Sequence, residues 1–386
     1  MTARFYRWRV LAAALWILPL FARADDACAG LARMIDAAPP GPVFLASYPT
    51  AEPGPLHDAA FLYDNAAAVV ALVGCGEKAR AERIGQAILI ALDNDRFWKD
   101  GRLRNAYKAG AAEKPAELPG WWDKAQNRWL EDRYQAGSDV GNMAWAMLAL
   151  LSLDAPPYVR AADRIGTWVL QWEDKRGAGG FTGGALGHEP SPEIRRWKST
   201  EHNTDLAAAF ALLGMRGPAA KARRFVEAMW DETCACFAAG TGEDGVARNP
   251  TLSLDAQIWP LLAVPGAIGR AGPLFGTLQG RLAAGGGYAY GEARDGIWTE
   301  GTAQAALLRE MLGHGAEAAA LRAAVEAQRA PDGLYYATGA QSLPTGYGLE
   351  SDPGKPRLYF RLPHLGATAW AALAERGFNP FTLKRL

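Results

Sequence analysis

Beyond Phe21 the chain lacks any apolar run long enough and free enough of charge to cross a bilayer, so no stable membrane insertion is expected. It also lacks net charge. The 41 basic residues balance 41 acidic ones, and no like-charged block stands out. Nothing in that balance calls for nucleic acid or an anionic membrane surface. Histidine is scarce, with five in the chain, and none clusters with another or with cysteine. Such a distribution argues against a metal centre, and no cofactor is expected. What the chain has in plenty is apolar residues, at 49% of the whole, enough for a substantial core.

The first 24 residues read as a secretory signal peptide. Arg4, Arg7 and Arg9 precede an apolar stretch from Val10 to Phe21, and Ala22-Arg23-Ala24 supplies small residues for cleavage after Ala24. The mature chain is therefore expected to be periplasmic or secreted, in a compartment where its four cysteines can oxidise. Cys28 and Cys75 could join the first mature helix to the end of the first apolar helix. Cys234 and Cys236 are one residue apart, where a bridge is strained but feasible.

Six short segments share one design, a polar cluster running into a helix of small and apolar residues. They are Tyr63-Asp64-Asn65, Ser138-Asp139-Val140-Gly141-Asn142, Ser199-Thr200-Glu201-His202-Asn203, Ser253-Leu254-Asp255-Ala256-Gln257, Thr299-Glu300-Gly301-Thr302-Ala303-Gln304 and Pro363-His364-Leu365-Gly366-Ala367-Thr368. The runs that follow, such as Ala66–Val73, Trp145–Leu153 and Leu206–Leu213, are apolar on nearly every side and so predict fully buried helices. Between them lie amphipathic segments with one charged face: Glu77–Asp93, Pro157–Lys175, Gly217–Asp231, Gly266–Ala283 and Ala316–Ala330. Ala27–Ala37 is placed beside the last buried helix to complete six pairs. The buried helices start roughly 45 to 75 residues apart, a spacing that points to helical-hairpin repeats. Links from outer to inner helices are long and rich in Gly, Trp and Tyr, and loops of that length are usually functional.

This layout resembles the (α/α)6 barrel of the six-hairpin glycosidase superfamily, and the resemblance covers the whole mature chain. Its carriers are the six-pair layout, with Ser199-Thr200-Glu201-His202-Asn203, Trp298–Gln304 and Gly366-Ala367-Thr368-Ala369-Trp370 similar to segments of exported bacterial proteins of this shape. The resemblance implies an all-α fold, a single (α/α)6 barrel of six inner and six outer helices spanning residues 25–386. Small β-hairpins are expected at Gly179–Gly184 and Phe237–Ala247. It also implies carboxylates gathered at the mouth of the inner helices. Most members cleave glycosidic bonds, and related barrels are polysaccharide lyases, epimerases or terpenoid-processing proteins. No residue role is carried over from the superfamily.

Glycoside hydrolysis needs one carboxylic acid to protonate the leaving oxygen and one carboxylate to activate water or attack the sugar. Glu201, beside His202 and Asn203, is the first choice for the acid. Asp139 and Asp64 are the leading bases, with Glu300 and Asp132 in reserve. Acids in a first helical turn also serve as caps and dipole partners, so each competes with a structural use. Asp205, one turn further on, reads as a buried polar contact. His202 is expected to orient Glu201 or a loop, and His364 to hydrogen-bond either the fold or a sugar. Asn65, Asn142, Asn203, Asp255, Gln257 and Gln304 are expected to position sugar hydroxyls. Among the loop aromatics, Trp121, Trp122, Trp197, Trp298 and Tyr134 suit the C–H face of a sugar. Trp145, Trp259 and Trp370 lie on helices and read as core. Arg195, Arg196 and Lys198 beside the Glu201 cluster, with Arg102 and Arg104, could meet a negatively charged sugar; solvated surface charge is the reading preferred, and an acidic or amino-modified substrate is left open.

The expected function is that of an exported glycoside hydrolase acting on a bacterial exopolysaccharide or cell-envelope glycan, with a polysaccharide or oligosaccharide as its substrate. A lyase or epimerase on the same barrel would instead rely on Tyr134, Tyr63 or His202 as the base. A non-catalytic alternative is a periplasmic glycan-binding component of a polysaccharide secretion system. Fold alone does not decide among these.

Overall fold

The computed structural model describes residues 26–349 and 354–386, so the expected signal peptide lies outside the described residues. Helix α1 (Ala27–Ala37) opens the described chain, capped by the Asp26 carboxylate, which accepts from the Ala29 N–H at 2.9 Å. The inner helices are α2 (Leu62–Gly74), α5 (Val140–Ser152), α7 (Thr200–Leu212), α9 (Leu254–Ala263), α11 (Thr299–Met311) and α13 (Leu365–Arg376). They touch in that order, and α13 returns to α2 to close a ring. The outer helices α3 (Lys78–Asp93), α6 (Pro156–Val169), α8 (Arg216–Ala228), α10 (Ala271–Arg281) and α12 (Gly315–Glu326) each cover the inner helix before them, and α1 covers α13. This is the all-α (α/α)6 barrel expected from the sequence. A single-turn α4 (Arg133–Ala136) is the remaining α-helix among the described residues, beside two short 3-10 turns at Leu170–Trp172 and Ala267–Arg270.

Ala, Gly and Val on the inner helices explain why the ring closes tightly. Residues Ala66 to Val70 of α2 are fully buried, so no face of the helix is left to solvent. The outer helices bury one stripe only, as Ala81, Ile84, Ala87, Ile88 and Ala91 do on α3. Two disulfides form, Cys28–Cys75 between α1 and the end of α2, and Cys234–Cys236 in a tight hairpin. Among the described residues no helix is long and apolar enough to cross a membrane.

The fourth residue of every inner helix holds the incoming loop. Asn65 accepts from the Leu45 N–H at 2.8 Å and donates to the Leu45 carbonyl at 2.9 Å. Asn203 does the same to Phe181 at 2.8 and 3.0 Å, and Gln257 to Phe237 at 2.7 and 2.8 Å. The Thr302 hydroxyl accepts from the Tyr288 N–H at 3.1 Å, and that of Thr368 from the Tyr335 N–H at 3.0 Å. On α5 the position is Met143, whose sulfur accepts from the Leu103 N–H at 3.3 Å. Each loop therefore enters its helix at a fixed height.

Small hairpins decorate the mouth: the one expected at Phe237–Ala247 pairs Gly240–Thr241 with Arg248–Asn249, whereas Gly179–Gly184 is the loop leading into a hairpin of Gly184–Leu186 with Glu193–Arg195. The longest pairs Ser342–Gly348 with Pro356–Phe360, in a region the sequence marks only as an aromatic loop. Two expectations of surface charge are corrected. Arg104 is fully buried and ion-paired bidentately with Asp95 at 2.6 and 2.9 Å, with a third contact to Glu189 at 3.0 Å. Burial opposes ionisation of Asp95, but the guanidinium outweighs it and holds the carboxyl below its usual range. Lys198 is also buried, its ammonium donating to the carbonyls of Arg176 and Gly179 at 2.6 and 2.9 Å.

Removing one of the loop pins should be costly, because both backbone groups it serves stay buried. Asn203→Ala is expected to lower stability by about 2–4 kcal/mol, from two unsatisfied groups. Chemical denaturation checks this, and a loss below about 0.5 kcal/mol would remove the pin from the account.

Candidate active site

With the fourth residue spent on the loop, the second residue of each inner helix faces the barrel axis at the mouth. Those residues are Tyr63, Gly141, Glu201, Asp255, Glu300 and Gly366. One turn deeper, Trp145, Asp205, Trp259, Gln304 and Trp370 form a floor. Above them opens a cleft of about 420 Å³ whose walls include Tyr63, Tyr134, Asp139, Asn142, Trp197, Glu201, His202, Asp255, Trp298 and Glu300. A second, more apolar lobe of about 550 Å³ adjoins it, lined by Tyr48, Leu56, Phe61, Asp64, Asp132 and His364 among others. Tyr63, Tyr134, Asn142, Arg357 and Tyr359 line both lobes.

The carboxyls fall into two groups. Glu201 on α7 and Asp255 on α9 hydrogen-bond to each other, and Asp205 lies beneath them. Burial raises Glu201 well above the ordinary carboxylate range, and the neighbouring charges of Asp255 and Asp205 add to it. Asp255 is raised by burial, but the Ser253 hydroxyl, the Ala256 N–H (2.7 Å) and Glu201 all stabilise its anion. The pair therefore favours the proton on Glu201 and the anion on Asp255.

Asp64, Glu300 and His364 make the other group, reached from α2, α11 and the start of α13. His364 caps α13, its Nδ1 accepting from the Ala367 N–H at 3.2 Å, so Nε2 carries the proton and faces Asp64 Oδ2 at 3.3 Å. Burial disfavours the imidazolium, but Asp64 and Glu300 outweigh it and raise the His364 pKa. Glu300 is pushed up to about 7, chiefly by burial. Its Oε1 accepts a short hydrogen bond from the Tyr63 hydroxyl, which in turn accepts from the Trp370 indole at 2.7 Å. Among the described residues these three are a set with ligand atoms close enough for a cation.

Two glycines make room for these groups. A Cβ at Gly366 would lie 2.6 Å from Asp64 Oδ1 and 3.0 Å from Glu300 Oε2. At Gly141 it would lie 2.4 Å from the His202 ring. His202 lies against Trp197 at 5.5 Å between ring centres, and burial holds its pKa down to about 4, so it is neutral near pH 7.

The sequence-predicted residues divide accordingly. Glu201, Asp139, Glu300, His202, Asn142, Asp255, Tyr134, Trp197 and Trp298 meet in the first lobe. Asp64, His364 and Asp132 meet in the second, where Asp132 also caps α4 by accepting from the Tyr134 and Gln135 N–H groups. Asn65, Asn203 and Gln257 do not reach the cleft, because their amides are taken by the loops. Gln304 is buried in the floor layer. Trp121 and Trp122 belong to a hairpin paired with residues 129–130 and line neither lobe, and Trp122 is 54% exposed. Trp145 and Trp259 are buried in the core as read, and they also underlie the cleft floor. Sequence reading missed Arg357 and Tyr359, and it placed Tyr290 and Tyr347 at the mouth as loop aromatics without a role. They sit on loops and strands without helical period, where only the density of aromatic residues gives a signal.

A scan against protein-family models finds no match, and neither does a search of the curated proteins. Solved structures do match. A glycosidase, solved also in complex with glucose, superposes with a TM-score of 0.59 over 91% of this chain and 95% of its own, at 14% identity. The chain has the fold of the six-hairpin glycosidases. A cellobiose 2-epimerase from Bacillus thermoamylovorans gives a TM-score of 0.59 at 10% identity, covering 90% of this chain and 95% of its own. A GH63 mannosylglycerate hydrolase from Thermus thermophilus in complex with glucose gives 0.53 at 14% identity, over 91% and 99%.

Gly366→Ala should displace Asp64 or Glu300 and cost about 1–3 kcal/mol by overpacking. Thermal unfolding checks this. An unchanged melting temperature would mean that the Asp64–His364–Glu300 group has slack that the geometry does not show.

Proposed function

We propose that the protein is a carbohydrate-active enzyme, an exported glycoside hydrolase acting on a bacterial exopolysaccharide or cell-envelope glycan. One observation carries the reading: in an aromatic-walled cleft Glu201 and Asp255 face each other, and burial with that neighbour pushes Glu201 well above the ordinary carboxylate range. A carboxylic acid that keeps its proton near neutrality is what protonation of a glycosidic oxygen requires. Asp255 is within hydrogen-bond reach of Glu201, too close for sugar and water to stand between them, so its role is to tune the acid. Asp64 is engaged by His364. Asp139, at the start of the neighbouring α5, is the base in this reading, and Glu300 with Tyr63 positions hydroxyls. The glycosidase neighbours and the two disulfides support a carbohydrate enzyme of an oxidising compartment.

A second reading, epimerisation of a reducing-end sugar, is favoured by His202, an imidazole kept neutral inside the cleft and fit to take a proton next to a carbonyl. Its product has the mass of the substrate and no new reducing end.

Digestion of a glycan panel with chromatographic and reducing-end analysis tests the proposal. Glu201→Gln should lower turnover by roughly 10²–10⁴-fold. Asp255→Asn removes a negative charge beside the acid, so Glu201 loses its proton more easily and the alkaline limb of the pH profile moves to lower pH. Isomerised products without new ends, or full turnover by Glu201→Gln, would sink the hydrolase assignment.

A further inference from the structure

We propose that the glycan is acidic and that Arg357 receives its negative group, an inference resting on the sugar-cleft reading above. Arg357 stands on the strand Pro356–Phe360, where the two lobes meet, and lines both. On that strand Arg357 is exposed, whereas Leu358, Tyr359 and Phe360 are half-buried. The guanidinium lies 4.9 Å from the centre of the Tyr134 ring. It hydrogen-bonds the Tyr134 hydroxyl, lies near the phenols of Tyr359 and Tyr290 and within electrostatic reach of Glu201, and no ion pair joins it to a carboxylate among the described residues. Lys198, the other cation of the first lobe, is spent on two backbone carbonyls. Arg357 is thus the cation there whose charge is aimed at whatever fills the cleft.

The surroundings suit an anion. Burial raises the pKa of Tyr134, Tyr290 and Tyr359, so their hydroxyls keep their protons and remain available as donors. The nearby acids oppose an anion less than their number suggests, because Glu201 and Asp205 are both raised well above the usual range and hold protons. A guanidinium fork matches a carboxylate or a sulfate with paired hydrogen bonds, and such charge-assisted bonds are the strong ones. A neutral sugar at the same place would leave the cation partly desolvated and unpaired.

Binding separates this inference from the hydrolase reading. Glu201→Gln full-length protein would be titrated by calorimetry with oligoglucuronate, oligogalacturonate, oligomannuronate and a sulfated oligosaccharide, each beside its carboxyl-reduced or desulfated counterpart. At least one acidic probe should bind about 10- to 100-fold tighter than its neutral counterpart, a preference expected of one charged hydrogen-bonded contact. The preference should weaken with salt. Adding Arg357→Gln should abolish it, while Arg357→Lys should keep part of it. If no acidic probe out-binds its counterpart, or the preference survives Arg357→Gln, the inference is overturned. Acidic binding of that kind without products from the unmodified enzyme would instead remove the hydrolase reading and leave this one standing.

Discussion

Each inner helix anchors the loop that precedes it, and the rest of the mouth depends on that contact. A buried loop end presents one N–H and one C=O that must be satisfied, and a single amide can serve both. Asn65, Asn203 and Gln257 do so, and Thr302, Thr368 and Met143 each supply an acceptor. Residues two apart on a helix are about 200° apart around it. A fourth residue turned outward to the loop therefore leaves the second turned inward to the axis. That is how Tyr63, Glu201, Asp255 and Glu300 come to face one another.

Gathering acids this way would fail if all of them ionised. The structure relieves the repulsion in two ways. At Glu201 and Asp255 burial raises both carboxyls, and the Ser253 hydroxyl and Ala256 N–H favour the anion on Asp255, which leaves Glu201 the more strongly raised. Beside Asp64 and Glu300, His364 turns its Nε2–H to Asp64 at 3.3 Å, and the Tyr63 hydroxyl, itself accepting from the Trp370 indole, donates to Glu300. Glycines at 141 and 366 leave space for both arrangements, so the absence of a side chain is as much part of the site as the acids. The same physics gives an acid with its proton and a nearly neutral floor under Arg357.

Much of the barrel was legible in the sequence, because an all-round apolar helix and a one-sided one read differently. The pairing of Ala27–Ala37 with the last inner helix followed from the count of such segments. The polar clusters were legible as a group but not residue by residue. Apolar runs mark where burial begins, whereas the helices start earlier, inside the clusters, at Leu62, Val140 and Thr200. Setting the six segments in register from those starts lines up Asn65, Asn203, Gln257, Thr302 and Thr368, and the pins become visible. Arg357 and Tyr359 had no comparable signal, since the hairpin that carries them pairs through backbone groups. Arg104 looked like surface charge because its partners, Asp95 and Glu189, are 9 and 85 residues away.

The central claim is that Glu201 keeps its proton near neutral pH because of where the helices put it. Infrared difference spectroscopy on the unmodified protein and Glu201→Gln reads this directly. At pH 7 the account predicts a protonated carboxyl C=O stretch that disappears in the variant. Loss of an ionised carboxylate band instead, with no change in the protonated region, would contradict it.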